Sequence, residues 1–84
     1  MTQPWFVYIV HCADQTLYIG ISDNLGKRIA NHNAGKGAKY TRGRTPVKLV
    51  YQEKHPGRST ASKREAELKK LTKQEKLKLV ASFK

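Results

Sequence analysis

Two phenols, a guanidinium and an imidazole fall within the first 32 residues at spacings that invite chemistry. Tyr8 and Tyr18 stand ten positions apart, and Arg28 and His32 stand four apart. An arginine fork grips phosphate oxygens through parallel N–H donors. An imidazole takes, gives or orients a proton near neutral pH. A free phenol has a pKa of about 10, so it works as a base only beside positive charge. Each group also has an ordinary use. Strand tyrosines pack half-buried, a histidine on an apolar stripe sits satisfied in a core, and a helical arginine is solvated.

The elements that must position these groups follow from the pattern. Phe6 to Gly20 holds two apolar runs broken at Asp14-Gln15, which reads as a β-hairpin with strands Trp5–Cys12 and Leu17–Ile21. Loop length decides whether the phenols share a face, because residues opposite one another in an antiparallel pair do. A two-residue loop sets Tyr18 opposite His11, away from Tyr8. A three-residue loop sets Val10 opposite Tyr18 and Tyr8 opposite Gly20, and puts Gln15 in the left-handed region. The odd-length loop is expected, and Gly20 allows a close approach by backbone or ligand.

Ser22-Asp23-Asn24 starts a helix over about Leu25–Ala34, closed by Gly35. Leu25, Ile29 and His32 recur on one face, with Arg28 beside His32. Residues 36–46, KGAKYTRGRTP, form a loop or short helical turn. A third strand is expected over Val47–Gln52, then a turn at His55-Pro56-Gly57. Ser59 or Thr60 caps a second helix reaching about Leu71. Thr72 caps a third, about Lys73–Ser82, with Leu77, Val80 and Ala81 facing inward. The order β-β-α-β-α-α predicts an α+β fold, a three-stranded antiparallel sheet with helices packed against it. The 84 residues contain no linker long enough to divide them, so residues 1–84 read as one domain.

Charge narrows the partner. Lys and Arg number 17 against 6 Asp and Glu, for a net charge of +11 and a pI near 10.1. Such a surface attracts polyanions, nucleic acid foremost. From Asn24 to Gln52 there is no acidic residue, while Lys27, Arg28, Lys36, Lys39, Arg42, Arg44 and Lys48 fall there. A contiguous positive surface is what a phosphate backbone needs. Tyr40 lies among these bases, where it can stack on a nucleobase. The cluster Lys63–Lys78 also carries Glu65, Glu67 and Glu75, the look of a solvated helical face. Cys12 is the sole cysteine, which excludes an intrachain disulfide and reads as a small hydrophobe. One cysteine and three scattered histidines give no zinc-ligand spacing. No segment approaches the roughly 20 apolar residues of a membrane span, and no secretory signal is evident, so a cytoplasmic protein with no membrane partner and no evident protein partner is expected.

Phe6-Val7-Tyr8, Tyr18-Ile19-Gly20, Arg28 and His32 on a helix, and Glu65 on a later helix together resemble the GIY-YIG nuclease domain. The first tripeptide departs from the usual Gly-Ile-Tyr; the second is intact. Residues 38–46, AKYTRGRTP, and Ser62-Lys63-Arg64-Glu65 are similar to the short stand-alone bacterial members, and the likeness covers about residues 5–76. The resemblance implies a metal-dependent phosphodiester endonuclease acting on DNA, in repair-like settings of nicked, branched or damaged structure. It implies a site lined by Tyr8, Tyr18, Arg28, His32 and Glu65. Helical periodicity leaves Glu65 and Glu67 at two borders of the buried face set by Ala61, Leu68 and Leu71; the resemblance selects Glu65. That carboxylate would hold one Mg²⁺ or Mn²⁺, weakly without substrate. Lys27, Lys36, Lys39, Tyr40, Arg42 and Arg44 would carry the phosphate backbone. Many members also use a late amide, for which Gln74 is the candidate. Two alternatives stand beside the enzyme: a nucleic-acid binding module of the same fold with little or no catalysis, and a basic interaction protein that binds polyanions incidentally.

Overall fold

The apolar run WFVYIVH is rich in aromatic and β-branched residues, and it becomes the central strand because both its faces can be buried. The structure is a computed structural model that describes residues 3–83. In chain order it contains β1 (Trp5–His11), β2 (Leu17–Ser22), α1 (Leu25–Asn33), a 3₁₀ turn (Lys39–Thr41), β3 (Lys48–His55), α2 (Arg58–Lys69) and α3 (Lys73–Ser82). The strands form one antiparallel sheet ordered β2-β1-β3. This is the expected α+β arrangement.

Each sheet face has its own core. On one, Val7, Ile9, Ile19 and Tyr51 pack against Ala61 and Leu68 of α2, with Leu79 and Val80 of α3 at the margin. On the other, Tyr8, Val10, Cys12 and Val47 pack against Leu25 and Ile29 of α1. Cys12 is buried there among apolar side chains, as expected of a small hydrophobe. A bulge at Ile9/Val10 lets Tyr51 and Leu49 oppose successive β1 residues, so Val50 is the extra one.

The hairpin closes as the parity argument requires. Val10 pairs with Tyr18 and Tyr8 with Gly20, so both phenols project to the α1 face. The Gln15 amide donates to the Cys12 carbonyl at 3.0 Å and the Cys12 amide to the Thr16 carbonyl at 2.8 Å. Gln15 takes φ of 73°, the left-handed conformation. Asp14 Oδ1 accepts from both the amide and the hydroxyl of Thr16, at 3.2 and 2.5 Å, and stiffens the turn.

Helix α1 is capped by the Asn24 side chain accepting from the Lys27 amide at 3.1 Å. Its C-terminus is a Schellman closure: the Gly35 amide donates to His32 O at 3.1 Å, the Lys36 amide to Asn31 O at 2.8 Å, and Gly35 has φ of 77°. Thr72 and Glu75 form a reciprocal capping box at the start of α3.

Several features differ from the expectation. Strand β3 runs on to His55, because Glu53, Lys54 and His55 pair with Val7, Phe6 and Trp5. Its charged end is tolerated because Glu53 is caged: Tyr51 Oη donates to it, Arg64 Nε donates at 3.0 Å, and His55 Nε2 lies 3.1 Å away. Burial pushes the Glu53 carboxyl up, but these hydrogen bonds outweigh it and hold its pKa below the usual range. Helix α2 begins at Arg58 with Gly57 as its cap, so neither Ser59 nor Thr60 caps it; the Thr60 hydroxyl donates back to Gly57 O. Leu77 is 45% exposed and Ala81 is exposed, since α3 meets the core through Leu79 and Val80 instead. Among the described residues no helix is long and apolar enough to cross a membrane.

The Gln15 conformation yields a test. Gln15→Gly should raise the stability by about 1 kcal/mol, because glycine adopts the left-handed region without steric cost. Urea unfolding should show a higher midpoint with an unchanged slope.

Candidate active site

The α1 face of the hairpin gathers the candidate groups. Tyr8 comes from the central strand, Tyr18 from edge strand β2, and Arg28 and His32 from adjacent turns of α1. His32 falls on the inward stripe of α1 with Ile29, and it is fully buried. Tyr8 is 0% exposed, and its phenol oxygen lies 2.9 Å from His32 Nε2. Arg28 Nε donates to that same oxygen at 3.2 Å. The Tyr18 ring meets His32 edge-on at 5.6 Å and tilts against Tyr8 at 6.5 Å.

Two glycines make this packing possible. A Cβ on Gly20 would sit 2.5 Å from the Tyr8 phenol oxygen and 2.7 Å from its Cζ. The close approach expected at Gly20 is therefore made by the Tyr8 ring. A Cβ on Gly37 would lie 2.2 Å from His32 Nδ1 and 2.8 Å from its Cα. Gly37 presses the return loop onto the imidazole, and the Thr41 hydroxyl reaches Nδ1 at 2.8 Å.

Loop 36–46 is held down along its length. Arg44 Nε pairs with Asp14 at 2.7 Å and its Nη1 donates to Tyr40 O at 2.6 Å. The Arg44 guanidinium also lies 4.3 Å from the centre of the Tyr40 ring, which stacks on Tyr18. Asn33 brackets Val47, donating to its carbonyl at 3.2 Å and accepting from its amide at 2.6 Å. Arg44 and Tyr40 are thus already engaged within the protein. Lys36, Lys39 and Arg42 stand exposed on the same loop. Lys27 shares with Arg28 an open cleft of about 310 Å³ between α1 and the Trp5 and Ser22 ends of the strands.

Glu65 approaches from the other side. Helix α2 lies beneath the sheet and leans on edge strand β2 and central strand β1. The Glu65 side chain is partly buried and pairs with Lys69 at 3.4 Å. Its charge reaches the phenol cluster: Tyr8 is pushed above its usual pKa chiefly by burial, against the pull of Arg28, and Tyr18 and Glu65 add to the rise. The Tyr8 contact raises the Arg28 pKa against the effect of burial, so the guanidinium stays charged. Burial, then the Arg28 charge, lowers that of His32, which favours neutral imidazole.

The donor chemistry fits a hard divalent cation. Among the described residues no three His, Cys, Asp or Glu cluster to cage a metal. A lone carboxylate with waters and substrate oxygens is how Mg²⁺ or Mn²⁺ is commonly held at a phosphoryl site.

Several contributors escape sequence reasoning. Thr41 and Gly37 act only through tertiary contact with His32. Lys69, Lys73 and Lys76, read as solvated, line two adjoining clefts of about 270 and 200 Å³ that run past Leu17, Tyr18 and Tyr40. Helical spacing alone does not reveal them, because the turn between α2 and α3 brings them together. Gln74 is exposed in the first turn of α3.

A hairpin with paired phenols, a helical Arg and His, and a later Glu is the frame of one nuclease fold. The family model for the GIY-YIG catalytic domain matches residues 4–78, and the chain belongs to that family. It is thereby of DNA-endonuclease type. Its relatives include UPF0213 proteins, short like itself. One from Natronomonas pharaonis is 51% identical over 81 residues, covering 96% of this chain and 95% of that protein. One from Staphylococcus haemolyticus is 55% identical, covering 89% and 92%. The solution NMR structure of a UPF0213 protein from Bacillus halodurans aligns with a TM-score of 0.60 at 41% identity, covering 93% of this chain and 83% of that one.

Two outcomes follow from the site's packing and ionisation. Gly20→Ala drives a methyl group into a rigid ring and should cost about 1–3 kcal/mol in denaturant unfolding. His32 binds its proton less readily when folded than the unfolded value of 6.5. Below that pH the unfolded chain takes up a proton the folded chain refuses, so stability falls until the folded pKa is passed. Unfolding measured at about pH 7.5, 6.5 and 5.5 should show this loss, and His32→Asn should flatten it.

Proposed function

We propose that this chain is a metal-dependent endonuclease that hydrolyses phosphodiester bonds of DNA, with nicked, branched or damaged structures as its substrates. The observation that carries the reading is the seating of Arg28. Its Nε is taken by Tyr8, which fixes the plane of the guanidinium, and it lines an open cleft with Lys27. A fixed, charged fork beside an ammonium suits the charge that builds on phosphoryl oxygens during attack.

The two phenols divide the work. Tyr8 is fully buried and bonded on both sides, so it positions. Tyr18 is partly exposed and close to Arg28, so it is the phenol able to contact an incoming water or substrate oxygen. Glu65 would hold the divalent ion, which when bound supplies Lewis acidity to the phosphoryl group and neutralises the leaving oxygen. Lys27, Lys39 and Arg42, together with the lysines at the α2–α3 turn, carry the backbone on either side. Tyr40 and Arg44 hold the loop that presents them.

The complete burial of Tyr8 and the pairing of Glu65 with Lys69 favour a second reading, a DNA-binding module of this fold with little catalysis. A plasmid and a branched duplex, each incubated with Mg²⁺ or Mn²⁺, separate the two. The nuclease reading expects metal-dependent strand breakage that falls at least about 100-fold in Arg28→Ala and Glu65→Ala. Equal breakage by Glu65→Ala would overturn the site assignment. Salt-sensitive binding with no breakage by the wild type would select the module.

A further inference from the structure

The Thr41 hydroxyl is buried, with one proton to give and lone pairs to share. It lies 2.9 Å from the Ala38 carbonyl oxygen, which can only accept, and a hydroxyl proton turned there leaves the Thr41 lone pairs for His32. Toward His32 Nδ1, at 2.8 Å, Thr41 can then only accept. The ring proton of neutral His32 therefore sits on Nδ1, and Nε2 presents a bare lone pair. Its partner at 2.9 Å, the Tyr8 phenol, must donate. The phenol oxygen is left with lone pairs facing Arg28 Nε–H at 3.2 Å.

Every bond thus runs one way: Arg28 gives to Tyr8, Tyr8 to His32, His32 to Thr41, and Thr41 to Ala38 O. The opposite tautomer fails at the phenol. Nε2–H and Arg28 Nε–H would both point at the phenol oxygen and strand its proton. The Thr41 hydroxyl would have to turn its proton to Nδ1 and give up the Ala38 carbonyl, which would keep only the Thr41 amide at 3.0 Å. No buried side-chain polar atom lacks a partner among the described residues, which the one-way chain satisfies.

We propose that Thr41 is a positioning residue: by accepting the Nδ1 proton it sets the direction of this relay and so makes the Tyr8 phenol an acceptor that orients the Arg28 fork. The role rests on reading Arg28 as the phosphate-gripping group, yet the relay itself is measurable without DNA or metal.

The experiment compares the wild-type protein with Thr41→Ser, which keeps the hydroxyl, and Thr41→Val, which keeps the shape and removes it. Ring ¹⁵N NMR should show His32 of the wild type and of Thr41→Ser as the Nδ1–H tautomer, with a sharp, slowly exchanging Arg28 Nε–H resonance. In Thr41→Val the Nδ1–H to Nε2–H ratio should fall at least about tenfold and the Arg28 resonance should broaden. An Nε2–H tautomer in the wild type overturns the proposal, as does an unchanged His32 and Arg28 in Thr41→Val. Should that variant fail to fold, the wild-type tautomer and Thr41→Ser decide it. In plasmid nicking, Thr41→Val should lower kcat about 10-fold or more with KM for DNA within about twofold, and Thr41→Ser should restore it. Loss of nicking through KM alone would overturn the positioning role. A wild type that never nicks removes the nuclease reading, while the NMR measurements still decide the relay.

Discussion

A phenol enclosed by protein must have both its proton and its lone pairs answered, and the fold is arranged around meeting that demand for Tyr8. The answer comes from α1, whose successive turns present Arg28 and His32 to one oxygen. An unpaired buried polar group would cost about 1–3 kcal/mol, a sizeable fraction of what a domain this small has to spare. The hairpin register, the inward face of α1 and the descent of loop 36–46 onto His32 are therefore one constraint seen from three sides. Shifting the hairpin by one residue would turn Tyr18 to the other face and set a different side chain against the Tyr8 ring.

The sheet separates two electrostatic settings. On the α2 face Glu53 is surrounded by Tyr51, His55 and Arg64, and every group has its partner inside the protein. That cluster fastens α2 to β3. On the α1 face the cations have fewer internal partners. Arg44 is tied to Asp14, but Lys27, Lys36, Lys39 and Arg42 stand exposed with no ion pair among the described residues. Around Glu53 positive charge is consumed as structure, while on the α1 face it is left available.

Much of this was legible in the sequence where short-range rules apply. Loop parity placed the two phenols together, and Gln15 marked the left-handed turn. Asn24 and Gly35 bounded α1, and Thr72 bounded α3. The misreadings occur where tertiary contact overrides local preference. Glu53 to His55 looks polar and leads into the His55-Pro56-Gly57 turn, yet it forms strand because β1 offers it a ladder and Arg64 neutralises Glu53. Gly57 replaces a hydroxyl cap because the chain enters α2 directly from the strand. Leu77 looked buried by spacing, but the tilt of α3 turns Leu79 and Val80 inward instead. Thr41 and Gly37 carry no local signal at all. Their importance appears only when the loop is laid on His32.

Strand order has a last consequence. Because β1 lies between its neighbours while β2 has a free flank, two tyrosines of identical chemistry acquire unlike surroundings from lateral position alone. The inner ring is sealed from water and keeps fixed company. The outer ring faces a margin where other molecules can come and go. A three-ribbon sheet is the smallest that has both an interior lane and open borders, so this asymmetry arises at the minimum size at which it can exist.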